Sequence, residues 1–246
     1  MRYVSVIYDH SPGFTDPQSW FKRIAAYVGI LEVLAKKNQV ISINQIDYEG
    51  EVVNNSVVHK FVSPNRKRTH FPFKLNRFVK KLKPDVVLVQ GLHNPVAVIL
   101  LGVILPKRVK IIAHHHAEKP KHGIKRYAQK LADLFVDAYR FASTEMGLDW
   151  VKKGVISSRR KIHEVMEVSS IFQPINKGAA RQQTGITGSA IFLWVGTLDA
   201  NKDPINVVRA FLKYSQHNPE ARLYMIYHEM GLLPQIQELI ANDAAG

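Results

Sequence analysis

Apolar positions recur along the chain in two alternating patterns. Near-continuous apolar runs at Tyr3–Tyr8, Gln39–Asn44, Val57–Val62, Val86–Gln90, Lys110–Ala113, Arg140–Ser143 and Ile162–Val168 read as strands, most of them buried on both faces. Between them lie stretches of helical periodicity. Trp20–Lys37 carries Phe21, Ile24, Val28, Leu31, Leu34 and Ala35 on one side. Phe71–Leu82 is basic and amphipathic, Asn94–Leu105 has Pro95 in its first turn, Ile124–Val136 follows, and Ser143-Thr144 is placed to cap Met146–Lys153. His10–Pro17 is a loop with Pro12-Gly13 as its turn. Strands separated by helices predict βαβ units on a mostly parallel sheet.

In such sheets ligands sit beyond the carboxyl ends of the strands. Those ends are Asp9-His10, Gln90-Gly91, His114–His116 and Ser143-Thr144, and they gather the polar residues. After Phe172 the pattern lapses into a polar linker, 173–189. A new βαβ pattern then starts: strand Ala190–Val195, loop Gly196–Asp203, helix Pro204–Gln216, strand Ala221–Tyr227 and helix Leu233–Ala241. Two strands and two helices make a poor stand-alone core. The expected organisation is a Rossmann-like domain over 1–172, a linker over 173–189 and an incomplete second Rossmann-like domain over 190–246.

Composition changes this picture in two places. Cysteine is absent, which removes disulfides and thiolate metal sites. The net charge is +14, yet the residues from Ile175 onward hold six basic and six acidic side chains, so the whole excess lies in 1–174. A basic first domain suggests an anionic partner: a membrane surface, a nucleic acid or an acidic substrate. Segment 66–83 combines Arg66, Lys67, Arg68, Lys74, Arg77, Lys80, Lys81 and Lys83 with Phe71, Phe73, Leu75 and Phe78. Phe71, Leu75, Phe78 and Leu82 share a stripe that can pack on the sheet, and Phe73 falls outside it. Such a segment suits anionic lipid. A nucleic-acid role is disfavoured, because no recognised binding motif accompanies the charge. The first eight residues form too short an apolar run for a signal peptide, and Pro95–Leu105 is too short to span a bilayer. The expected location is cytoplasmic, with peripheral attachment at the inner face of the membrane.

Three places could carry chemistry. His114-His115-His116 ends a strand, with Glu118 close behind. Consecutive strand residues point in alternate directions, so at least one of the three packs rather than reacts. Three adjacent imidazoles also converge poorly on one metal ion. The third reading is an imidazole set against a polar substrate. Gly196 and Lys202 lie at a strand-to-helix junction, where free N–H groups and a lysine attract phosphate; an ordinary turn with a solvated lysine is the alternative. Ser11, Gly13 and Thr15 sit in the first loop, which lacks the spacing of a dinucleotide fingerprint.

Ala190–Phe211, with its V-G-x-L-x-x-x-K core, resembles the donor-site opening of the retaining glycosyltransferases of family 4, which have the GT-B fold. Val168–Pro174 is similar to the segment that joins the two domains of that family. The resemblance implies transfer of a hexose from a UDP- or GDP-hexose to a glycan or lipid-linked cell-envelope acceptor, with no cofactor and no catalytic metal. It implies contact with the transferred sugar for His116, with His115 as second candidate, and donor-phosphate binding for Gly196 and Lys202. Ser11, Gly13 and Thr15 fall on the acceptor side. Thr197 stands where the family usually has arginine, and Asp203 where it has glycine. The family's glutamate-x7-glutamate element lies beyond the end of this sequence, and Glu238 is not part of it. The expectation is therefore a C-terminally truncated chain that binds donor poorly alone. The alternatives are a non-catalytic acceptor-binding fragment, a basic module for anionic surfaces, and a GT-B epimerase, the last disfavoured by the 168–211 segments.

Overall fold

Val4 and Val6, fully buried, form the middle of the central strand β1 (Arg2–Ser11). The computed structural model describes residues 1–63, 72–116, 118–170, 172–228 and 230–244. Arg66, Lys67, Arg68 and Phe71 of the basic segment lie outside them, as does Glu229. The chain divides into two compact units, Met1–Phe172 and Gln173–Gly246.

In the first unit β1 leads through α1 (Pro17–Ala35) to β2 (Gln39–Ile46), then to β3 (Gly50–Asn54) and β4 (Val57–Val62). Helix α2 (Phe73–Lys81) leads to β5 (Val86–Gln90), α3 (Pro95–Ile104), β6 (Lys110–His114) and α4 (Ile124–Asp133). The unit continues through β7 (Ala138–Phe141) and α5 (Thr144–Lys152), and β8 (Ile162–Glu164) follows a short 3-10 turn. The strands form one sheet in the order β3-β4-β2-β1-β5-β6-β7-β8, parallel except for β3. Alternate residues of each strand face opposite sides. Val4, Val6, Val87, Val89, Ile111 and Ala113 meet the side carrying Leu101, Ala132 and Trp150 of α3, α4 and α5. Val40, Val57, Val86 and Leu88 meet Leu31 of α1 on the other. Leu75, Phe78 and Leu82 pack on the core as their stripe predicts, and Phe73 is about half exposed.

One strand goes beyond the sequence pattern, and three expectations need correction. The segment Gly50–Asn54 pairs with β4 as an antiparallel hairpin across Asn55-Ser56, both at positive φ. The first loop begins later than His10, because β1 runs on to Ser11, which pairs with Ile46. The last strand of the unit ends at Glu164 and not at Val168. The linker contains a helix, α6 (Lys177–Thr184), capped by the Asn176 side chain and closed by Gly185 at φ +68°. The second unit otherwise follows its pattern: β9 (Ile191–Val195), α7 (Pro204–Ser215), β10 (Arg222–Ile226) and α8 (Leu233–Ala244), with β9 and β10 parallel. Leu198, Val208 and Ile236 centre its core. Among the described residues no helix is long and apolar enough to cross a membrane.

Candidate functional site

The strand order reverses between β1 and β5: β2 lies to one side of β1, and the chain after β4 crosses to the other. A doubly wound sheet opens its ligand crevice at the carboxyl ends of two such strands. The residues there are shaped by an irregularity in β1. Its ladder with β2 breaks between Val6 and His10, and the Gln45 side chain donates to the carbonyls of Ile7 (3.1 Å) and Tyr8 (2.7 Å). Asp9, in this interruption, reaches the β5 side.

There Asp9 accepts hydrogen bonds from His93 Nε2 and from Asn94 Nδ2 (3.2 Å). The other ring nitrogen of His93, Nδ1, faces Glu118 Oε1 at 3.1 Å. Glu118 also accepts from the backbone N–H of Leu92 (2.8 Å) and of His116 (2.6 Å). One carboxylate thus ties the loop after β5 to the loop after β6. Hydrogen bonds to Asp9 and Glu118 raise the His93 pKa to about 9, against an ordinary 6.5. Burial alone would push the Glu118 carboxyl up, but the hydrogen bonds from His93, His116 and Leu92 outweigh it and bring it down to about 2. The His93 hydrogen bond also lowers Asp9. Gly91, at φ +87°, makes room for this arrangement: a Cβ there would lie 2.5 Å from His93 Cε1.

The three consecutive histidines have three environments. His114 is buried in β6, with its ring 4.5 Å from that of His116; burial first, and then nearby Arg140, pushes it down to about 3. His115 is stacked on Phe141 at 4.6 Å with Trp150 edge-on, and its Nε2 lies 2.9 Å from the Glu118 carbonyl. At 3% exposure it belongs to the core. His116 turns to the rim. Its Nδ1 lies 3.0 Å from Glu167 Oε1 and its Nε2 3.1 Å from Gln90 Oε1, while the Tyr27 ring approaches edge-on. Glu167 arrives there because the chain after β8 crosses α1: Ser169 N donates to the Ala26 carbonyl at 2.8 Å. Gly29 permits the crossing, since a Cβ there would stand 2.4 Å from Ser169 Oγ. An imidazole held by a carboxylate and an amide at a strand end can orient a sugar hydroxyl or exchange a proton with it.

The first loop is held separately. Asp47, just past β2, takes His10 Nε2 (2.9 Å) and the Gly13 N–H (2.7 Å). Ser11 ends β1, Gly13 turns at φ +86°, and Thr15 is exposed. No hydrogen bond among the described residues links Ser11, Gly13 or Thr15 to His93 or His116.

In the second unit the β9–α7 junction is a closed turn. Asp199 accepts from Thr197 Oγ1 (2.5 Å) and from the Lys202 N–H (3.0 Å). Gly196 donates its N–H to the Ile226 carbonyl (3.1 Å). A Cβ there would meet the Trp194 ring at 3.1 Å. Asp203 takes φ +47°, the region that glycine occupies most easily, and its carboxylate turns toward Asn206 Nδ2 at 2.8 Å. Pro204 then opens α7.

Asp9, Gln90, Gly91 and His116 are thus strand-end residues that the sequence marks and the fold brings together. His93 and Glu167 are partners that it did not single out. Among the described residues no group of three or more histidine, cysteine or carboxylate side chains is placed to share a metal ion.

No protein-family model matches the chain, and no curated protein matches it. Solved structures do. Sucrose-phosphate synthase from Thermosynechococcus elongatus superposes at TM-score 0.64 and 12% identity, over 100% of this chain and 68% of that one. HepE from Anabaena, in complex with UDP, gives 0.63 and 12% identity, covering 100% and 66%. A putative UDP-N-acetylglucosamine 2-epimerase from Listeria monocytogenes gives 0.54 and 12%, covering 100% and 66%. The chain thus spans about two thirds of the length of these proteins. At such identities the likeness is one of fold, which transferases and an epimerase share. The chain has the fold of a Rossmann-like GT-B N-terminal domain, with an incomplete second Rossmann-like domain.

Proposed function

We propose that this chain belongs to a nucleotide-sugar glycosyltransferase, acting by retaining transfer of a hexose from a UDP- or GDP-hexose to a glycan or lipid-linked acceptor. The observation that carries the reading is the rim at the topological switch point, where His116 is held by Glu167 and Gln90. In this reading the first unit receives the acceptor and presents His116 to the transferred sugar. His115 is too buried to share that role and supports the neighbouring backbone. Ser11, Gly13 and Thr15 line the acceptor side.

The second unit holds the donor diphosphate through Lys202, the close backbone at Gly196 and the free N–H groups opening α7. The leaving diphosphate gains charge in the transition state, so a cation there stabilises it preferentially. One feature of the turn supports the assignment, and one weakens the grip on phosphate. Asp203 keeps the left-handed backbone that glycine would supply and points its charge at Asn206. Thr197, which stands at the arginine's position, is tied to Asp199 and brings no cation. Donor affinity should accordingly be modest. The fold's occurrence with UDP in HepE agrees with a uridine nucleotide as the first ligand to test.

The test is isothermal titration with UDP, GDP, UDP-glucose and GDP-mannose, beside Lys202→Ala. Saturable binding of one nucleotide is expected, weakened roughly tenfold or more in the variant. Binding unaffected by Lys202→Ala would remove the phosphate assignment. Acceptor binding without any nucleotide affinity would favour a non-catalytic acceptor-binding protein.

A further inference from the structure

Helix α4 is built inside out. Its inward positions include two polar side chains, Gln129 and Asp133, both fully enclosed. Gln129 accepts from the Lys121 N–H at 2.8 Å, and Asp133 accepts from the Ser157 N–H at 3.1 Å and pairs with Lys161 at 3.2 Å. One exposed stripe is apolar: Ile124 is 84% exposed, Tyr127 70%, Leu131 47% and, just past the last turn, Leu134 73%. Spacings of three and four residues place these four on one stripe. A surface helix ordinarily turns its apolar stripe inward. Single exposed apolar residues call for no explanation, but a contiguous stripe marks an interaction surface.

The surroundings say what kind. From Lys119 to Leu134 the chain carries Lys119, Lys121, Lys125, Arg126 and Lys130, and its one carboxylate past Glu118 is the enclosed Asp133. Arg126 hydrogen-bonds the Lys153 carbonyl. It stands with Lys130 beside Gly154, which extends the cationic flank toward α5. On the other neighbour, α3, Val96 and Val103 also face outward, and α3 has no charged residue. Gly102 lets the two helices close up, since a Cβ there would fall 2.3 Å from the Phe135 ring.

We propose that the outward face of α4, with the adjoining outward residues of α3, docks on an anionic lipid surface. An apolar stripe with Arg126 and Lys130 along one side, in a segment rich in lysine and without an exposed carboxylate, matches the headgroup–acyl boundary: the stripe enters and the cations stay with the phosphates. A second copy of the chain fits less well. A two-fold contact through this stripe would set the same cations of both copies against each other. The proposal is independent of the glycosyltransferase reading and names a different surface from segment 66–83.

The experiment is co-sedimentation of the full chain with phosphatidylcholine vesicles, with and without about a third phosphatidylglycerol. The variants are Ile124→Ser/Tyr127→Ser/Leu134→Ser and Lys125→Glu/Lys130→Glu, with circular dichroism to check folding. The wild type should partition at least roughly tenfold better into anionic vesicles, and each variant should lose most of that preference. Because the chain has no cysteine, Tyr127→Cys can carry an environment-sensitive fluorophore, with Lys36→Cys as control. The label at 127 should shift to the blue on anionic vesicles and the control should not. Equal binding to neutral vesicles, full binding by both variants, or an unresponsive label at 127 would overturn the proposal. So would a lipid-independent dimer that the triple serine variant abolishes, which would assign the stripe to a second copy.

Discussion

At the scale of single residues, the rim depends on His93 more than its place in the sequence suggests. Its folded pKa of about 9 lies above the ordinary 6.5, so its stabilising contribution is complete below about 6.5 and is lost as pH rises through 9. Glu118 works in the opposite sense: its contribution is present above the ordinary 4.5 and is lost as pH falls toward about 2. Support from the cluster is greatest between about 4.5 and 6.5. Urea unfolding should therefore show the wild type losing about 1–2 kcal/mol between about pH 6 and 9.5, allowing for solvent screening of a partly exposed group. His93→Gln should lose much less over that interval, and an undiminished slope in the variant would assign the pH dependence elsewhere.

Asp9, Gln90 and the histidine triplet were legible because a strand end on a parallel sheet is a predictable place. His93 was not, because it lies in the loop beyond the strand and its partners are 84 and 25 residues away. Glu167 was hidden for a related reason, being 51 residues from His116 in a stretch that reads as strand. Which of the three histidines packs and which faces the rim follows from alternation only once Phe141 and Trp150 are known to cover His115.

At the scale of elements, the missed pieces lack an apolar period. Helix α6 has no buried residue, so nothing in its periodicity marks it, although Asn176 and Gly185 are ordinary start and stop signals. The strand Gly50–Asn54 is short and mostly exposed, and shows itself only through its partner β4. The Ser143 cap was legible, and its oxygen does accept from the Met146 N–H at 3.3 Å. Ser143→Ala should cost about 1 kcal/mol in chemical unfolding, and no loss would mean that water replaces the cap fully. Gly102 was not legible as a contact. Gly102→Ala drives a methyl into the Phe135 ring and should cost about 1–3 kcal/mol, more than any helix propensity gained. A neutral or positive change in thermal midpoint would show that α3 and α4 can separate freely.

At the scale of the whole molecule, alternation of strands and helices was enough for the Rossmann-like class. The strand order was not available from it, since periodicity says nothing about the side on which β5 joins β1. That choice makes the switch point and so brings Asp9, His93, Glu118 and His116 together. The proposed function requires this rim to meet the sugar of the donor. The direct test is nitrogen-15 NMR of the histidine side chains during titration with UDP-glucose or GDP-mannose. The account predicts saturable shifts at His116 and His93, with His59, enclosed by Phe21 and Phe61 away from the rim, unmoved. Saturable binding that leaves His116 and His93 unshifted would contradict it.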